Sequence, residues 1–190
     1  MKKITNSRGT TVAEVLIALL ITGIVSAAAF NFYIKVQGQT LAQGNISDMQ
    51  QNSRASLQEI VKALRTAGYK VGAHDSYAIV GDSLYVFTSI TQPVDTIIYY
   101  LQPYTTYEYP AIAKLREPLH PKKLMKKVNS GAAEIFSDFI NDIDFTAVTA
   151  NTIEVVVKVQ SENPDLDYQD NEGYRIYTSA ERVLIHNMTL

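Results

Sequence analysis

Residues 15–34 read VLIALLITGIVSAAAFNFYI, an apolar run with no charge anywhere in it. At ~1.5 Å per residue, a helix of about 20 residues crosses the ~30 Å hydrocarbon core of a bilayer. Residues 1–9, MKKITNSRG, precede it with Lys2, Lys3 and Arg8 and no acid. That positive flank predicts a cytoplasmic N-terminus, with everything after about Lys35 exported. Three products fit this layout: a secretory signal cut after the small residues Ser26, Ala27, Ala28 and Ala29, an uncut anchor, and a leader cut ahead of the apolar run. Glu14 bears on the choice. It is the only charge between Arg8 and Lys35, and a carboxylate in such a run costs ~2.5 kcal/mol at the helix centre and less near its end, so its presence calls for a reason.

The rest of the chain is ordinary globular material. Of 190 residues, 46% are hydrophobic and 19% charged, too apolar for a disordered chain and long enough for one main domain with an appendage. Lys+Arg 17 against Asp+Glu 19 gives a formal charge of -2, which excludes a surface built throughout for nucleic-acid phosphates. There is no Cys, so thiol catalysis, disulfides and thiolate metal sites are excluded together. The mean hydropathy of -0.04 averages a bilayer-length run with a polar remainder.

Arg8-Gly9-Thr10-Thr11-Val12-Ala13-Glu14, followed by that apolar run, resembles the processing site of type IV pilins and type II secretion pseudopilins. The resemblance implies removal of the leader by prepilin peptidase between Gly9 and Thr10. It also implies methylation of the new terminal residue Thr10, and a family glutamate at Glu14. This chain carries Thr10 where most members have phenylalanine. Loss of Lys2, Lys3 and Arg8 from the 17 basic residues leaves 14 against 19 acidic, so the mature chain would carry about -5. The cut would set the Thr10 amine about one helical turn from the Glu14 carboxylate. In a filament core, one subunit's amine would then neutralise a neighbour's glutamate and disfavour wrong registers.

Beyond residue 34 the pattern turns amphipathic. Ile46, Met49, Leu57, Ile60, Val61 and Leu64 recur at helical spacing, and Arg65 with Gly68 forms a stop signal. Gly38 and Gly44 predict a bend or local melting between them. A helix over 11–67 would be ~85 Å long, more than a compact domain of this size can bury, so its first half needs lipid or other subunits. Residues 52–69, NSRASLQEIVKALRTAGY, resemble the W-type minor pilins through Arg54, Leu57, Leu64, Arg65, Ala67, Gly68 and Tyr69. The J-type minor pseudopilins of type II secretion share part of this pattern. Strands are expected at 77–80, 84–90, 96–101, 144–148, 152–160 and 174–186, with residues 134–141 open between a short helix and a strand lead. The expected fold is α+β and pilin-like: a leader (1–9), a transmembrane and assembly half-helix (10–34), an amphipathic half-helix (35–68) and an antiparallel β-rich exported head (69–190).

Motifs for chemistry are few. His74, His120 and His186 lack partners at ligand spacing, and no G-x-S-x-G, H-E-x-x-H or P-loop occurs, so no enzyme and no cofactor are expected. Asp165, Asp167, Asp170 and Glu172 offer clustered oxygens for Ca²⁺, but not at EF-hand spacing, and the plainer reading is a solvated acidic loop. Lys122, Lys123, Lys126 and Lys127, with Lys114 and Arg116, form a basic run that could meet nucleic acid, anionic lipid or an acidic subunit. Pro118 and Pro121 make it read as an exposed loop. Of Tyr99, Tyr100, Tyr104, Tyr107 and Tyr109, the first two alternate faces of a strand, so one belongs to the core. The resemblance implies as partners the major and minor pilins, prepilin peptidase, the membrane and the inner-membrane assembly platform. It implies an inner-membrane protein before assembly, with a periplasmic or extracellular head. Two alternatives stay open: a J-type pseudopilin, and a secreted or anchored binding domain unrelated to filaments.

Overall fold

A computed structural model describes residues 11–71, 75–89, 94–104, 120–165, 168 and 170–187. Helix α1 covers Val12–Thr66 and runs through Gly38 and Gly44 without a break in its assignment, so the expected melting there is not seen. The chain divides into two compact units, Met1–Gln43 and Gly44–Leu190.

In the first unit the described residues from Val12 onward are helix and stand exposed along their apolar length. One N-terminal helix is therefore long and apolar enough to span a membrane. Two polar side chains of its apolar run bond back to the helix itself. The Thr22 hydroxyl donates to the Ala18 carbonyl at 2.7 Å and the Asn31 amide to Ala27 at 3.0 Å. Such back-bonding to residue i−4 is what a polar side chain needs where no water is available.

The second unit is α+β. Its stretch of α1 lies on a seven-stranded antiparallel sheet, β1 (Tyr77–Val80), β2 (Ser83–Thr88), β3 (Asp95–Pro103), β4 (Lys122–Val128), β5 (Glu134–Thr149), β6 (Thr152–Gln160) and β7 (Ile176–Leu184). Spatial order equals chain order, a plain meander. The core joins Met49, Leu57, Ile60, Val61, Leu64 and Ala67 of the helix side to alternate residues of the strands, among them Leu84, Val86, Tyr99, Leu124, Ile153, Val155 and Val157. The anticipated apolar helix face is thus the buried one, with Ile46 packed at its margin.

The strand expectations need two corrections. Residues 122–128 form β4 in the middle of the sheet, not an exposed loop: their lysines are half-buried, and Leu124 between them has no exposure. Residues 134–141 are not a helix, and they are more than a lead-in to a strand. They begin the sixteen-residue β5, which absorbs extra residues opposite β4 through register shifts between Lys122 and Met125. Phe139, at φ 56, sits in this irregular stretch. Bulges bend a strand and raise its twist, and the sheet is correspondingly curled. Tyr77 of β1 reaches across to the β5–β6 turn, its hydroxyl 3.5 Å from the Ala150 carbonyl.

α1 ends at a crowded point. Gly68 has φ 76, and a Cβ there would lie 2.3 Å from Ser76 Oγ and 2.4 Å from the Asn187 carbonyl oxygen. The Gly68 N–H donates to the Phe87 carbonyl, and the Ser89 N–H donates to that of Tyr69. Replacing Gly68 by Ala should cost about 2–4 kcal/mol, from the left-handed backbone and the overpacking together. Urea unfolding of the full chain checks this, with Gly81→Ala as the comparison, since Gly81 has φ 58 and open space around it.

Candidate functional site

The described part of the proposed processing region begins at Thr11. There the Thr11 N–H donates to Glu14 Oε2 at 2.8 Å and the Glu14 N–H to Thr11 Oγ1 at 3.3 Å. This reciprocal pair is a capping box, which satisfies two of the free donors at a helix start. Glu14 therefore has a local task at the head of α1, and the T-x-x-E spacing that signals it is legible in residues 11–14. Lys2, Lys3, Arg8, Gly9 and Thr10 lie outside the described residues.

The second resembling segment is architectural. Leu57, Leu64 and Ala67 are core, Arg65 pairs with Glu181 of β7 at 3.1 Å, and Gly68 makes the tight exit described above.

β4 does not gather its lysines on one surface. Alternation turns Leu124 and Lys126 toward the helix, and Lys123 and Lys127 to the other face. Lys126 Nζ donates to Glu59 Oε1 at 2.6 Å, and the Tyr99 hydroxyl donates to the same oxygen at 3.2 Å. The hydrogen bond from Lys126 holds the Glu59 carboxyl below the usual carboxylate range, against the opposing pull of partial burial. Burial, reinforced by the Glu59 charge and hydrogen bond, pushes the Tyr99 phenol well above its ordinary value. Lys123 lies over the Tyr104 ring at 4.5 Å, and the Tyr104 hydroxyl donates to Asp138 at 2.7 Å. Tyr99 is the core member of the tyrosine series and Tyr100 takes the opposite face. Lys114, Arg116, Tyr107 and Tyr109 lie outside the described residues.

The acidic loop is organised around a cation already in the chain. Arg175 donates to Asp165 Oδ2 from Nε at 3.0 Å and from Nη2 at 2.7 Å, with its guanidinium 4.8 Å from the Tyr168 ring centre. Asp170 precedes a short 3-10 turn, Asn171–Gly173, and makes no side-chain cap. Asp167 lies outside the described residues. Among the described residues no group of three or more His, Asp or Glu is placed to hold a metal. A pocket of about 180 Å³ lies between the start of the second unit's helix and β5–β6, lined by Asn45, Asp48, Met49, Asn52, Phe139 and Glu162 among others. No local pattern announces it, since its walls bring α1 together with the β5–β6 hairpin, far apart in the chain.

Compared with protein-family models, with curated proteins and with solved structures, the chain matches none.

The Glu59–Lys126 pair sets a pH dependence. A depressed carboxyl contributes stability that is fully present above the unfolded value, ~4.3 for Glu, and lost as pH falls through the lower folded value. Glu59→Gln should therefore lower stability by about 1–2 kcal/mol at neutral pH, as for a charged hydrogen bond at partial exposure. That difference from the parent chain should close below about pH 4, as read in denaturant titrations across pH.

Proposed function

We propose that the chain is a structural minor pilin of a type IV pilus, W-type-like, whose α1 is first a membrane anchor and then a filament element. The observation that carries this reading is a single helix of two characters: an apolar exposed stretch opening on a capped glutamate, then a stretch whose stripe is the core of a β-rich unit. A soluble domain has no use for the first stretch. In a simple anchor the glutamate would serve only the helix cap it makes with Thr11; in a filament core it would also be available to a neighbouring subunit. Leader removal at Gly9–Thr10 would leave the amine of Thr10 beside this glutamate, where it would serve pairing between subunits. The task inferred is initiating or supporting pilus assembly, at the tip by family resemblance, with no catalytic role.

Mass spectrometry of the membrane-extracted protein is expected to give an N-terminus at Thr10; a start near Phe30 would mark signal-peptidase cleavage and end the reading. Glu14→Val is expected to leave the membrane level unchanged and abolish incorporation into filaments. Deleting the gene and scoring pili and twitching against exoprotein release separates a pilus subunit from a J-type pseudopilin: loss of pili is expected, with secretion intact.

A further inference from the structure

Among the described residues the sheet's last strand is an open edge. β7 pairs with β6 alone among the described residues, over nine consecutive pairs from Thr152↔Leu184 to Gln160↔Ile176 with no register shift. Ser161 N–H donates to the Arg175 carbonyl and Ile185 N–H to the Asn151 carbonyl. Odd-numbered residues thus turn their backbone groups toward β6. By the alternation of antiparallel ladders, Ile176, Thr178, Ala180, Arg182 and Leu184 turn theirs outward. Thr178, Ala180, Arg182 and Leu184 are also exposed. Two usual guards of an edge are missing, since β7 has no Pro and no bulge. Its two charges are already matched within the chain, Glu181 by Arg65 and Arg182 by Glu154.

We propose that β7 is a homotypic docking edge that pairs antiparallel with β7 of a second copy, about a twofold axis through Ala180. The choice of a second copy rests on charge and register. Centred on Ala180, Ile176 faces Leu184 and Tyr177 faces Val183. Thr178 faces Arg182, Ser179 faces Glu181, and every outward N–H and C=O finds a partner. Centring on Glu181 or on Arg182 sets like charges directly opposite, which is destabilising. Centring on Ser179 sets Arg182 against Ile176. One register therefore uses the whole strand, joins the exposed Leu184 to Ile176 and opposes no like charges. The axis is normal to the sheet, so it turns the partner's sheet-packed stretch of α1 end for end. The inference stands apart from the filament reading.

The chain has no cysteine, so a single introduced thiol reports only contacts between copies. Full-length Ala180→Cys in detergent micelles should form a disulfide dimer under mild oxidation, since facing residues in a hydrogen-bonded antiparallel pair have Cα atoms ~5.5 Å apart, within disulfide reach. Thr178→Cys should stay monomeric, because its copy would lie four residues along the partner strand, ~14 Å away. A mixture of Thr178→Cys and Arg182→Cys should yield the mixed dimer. A monomeric Ala180→Cys would overturn the proposal. So would equal dimer from Ala180→Cys and Thr178→Cys, which would mark association through the apolar helix instead.

Discussion

The second unit depends on one stripe of helix, Met49 to Ala67, because among the described residues it is the only layer that covers the seven strands. A helix is ~10–12 Å across with its side chains, whereas seven flat strands spaced ~4.8 Å apart would be ~29 Å wide. A flat sheet would leave its outer strands uncovered. The sheet has to curl, and β5 supplies the means, since its extra residues opposite β4 make one strand longer than its neighbour. β1 is thereby brought within reach of the β5–β6 turn. Leu84 and Val86 on β2 are then as fully buried as Val155 and Val157 four strands away.

Inside this arrangement Glu59 and Lys126 do something apolar residues cannot. Rotation of a smooth stripe within a curved sheet would cost little, but a rotated helix would carry Glu59 away from Lys126 and Tyr99 and leave partly buried charges without partners, which is strongly unfavourable. The pair need not add much net stability to define how the helix is seated. Arg65–Glu181 at the sheet's far edge, and the hydrogen bond shared by the Ser53 and Ser179 hydroxyls, act in the same direction from β7.

What could be read in the chain follows from which signals were local. The helix face, the 152–160 strand and the stop at Gly68 rest on periodicity and on one glycine, and the structure has them where the pattern put them. β4 was obscured because KKLMKKV has no apolar alternation: in a central strand, lysine stems can line both faces while their ammonium groups reach water or a carboxylate. That carboxylate, Glu59, lies far back in the chain, so nothing near 126 announces it. The first part of β5 was hidden for a related reason, since a bulge breaks the period of two by which strands are recognised. At the candidate site the T-x-x-E spacing of Thr11 and Glu14 is a local signal for the capping box, but a carboxylate ahead of an apolar run points first to its charge and not to a cap. The Asp165–Arg175 pair was not legible, because an acidic run seen without its arginine reads as a solvated loop or an ion site.

The absence of cysteine gives the Ala67-Gly68-Tyr69 turn its weight. A disulfide typically contributes about 2–4 kcal/mol to a small exported domain by restricting the unfolded chain. This chain closes itself with backbone bonds of about 1 kcal/mol each instead. Gly68 to Phe87, Ser89 to Tyr69 and Phe87 to Ser76 tie the helix exit to β2 and to the approach to β1, while Ile185 to Asn151 ties the chain's last described segment to the β5–β6 turn. Gly68 is where these ties converge, its missing side chain leaving room for both Ser76 and Asn187. The glycine at the end of this helix thus reflects closure of the second unit: the helix, the first strand and the final strand meet there, and only a residue without a Cβ lets all three approach.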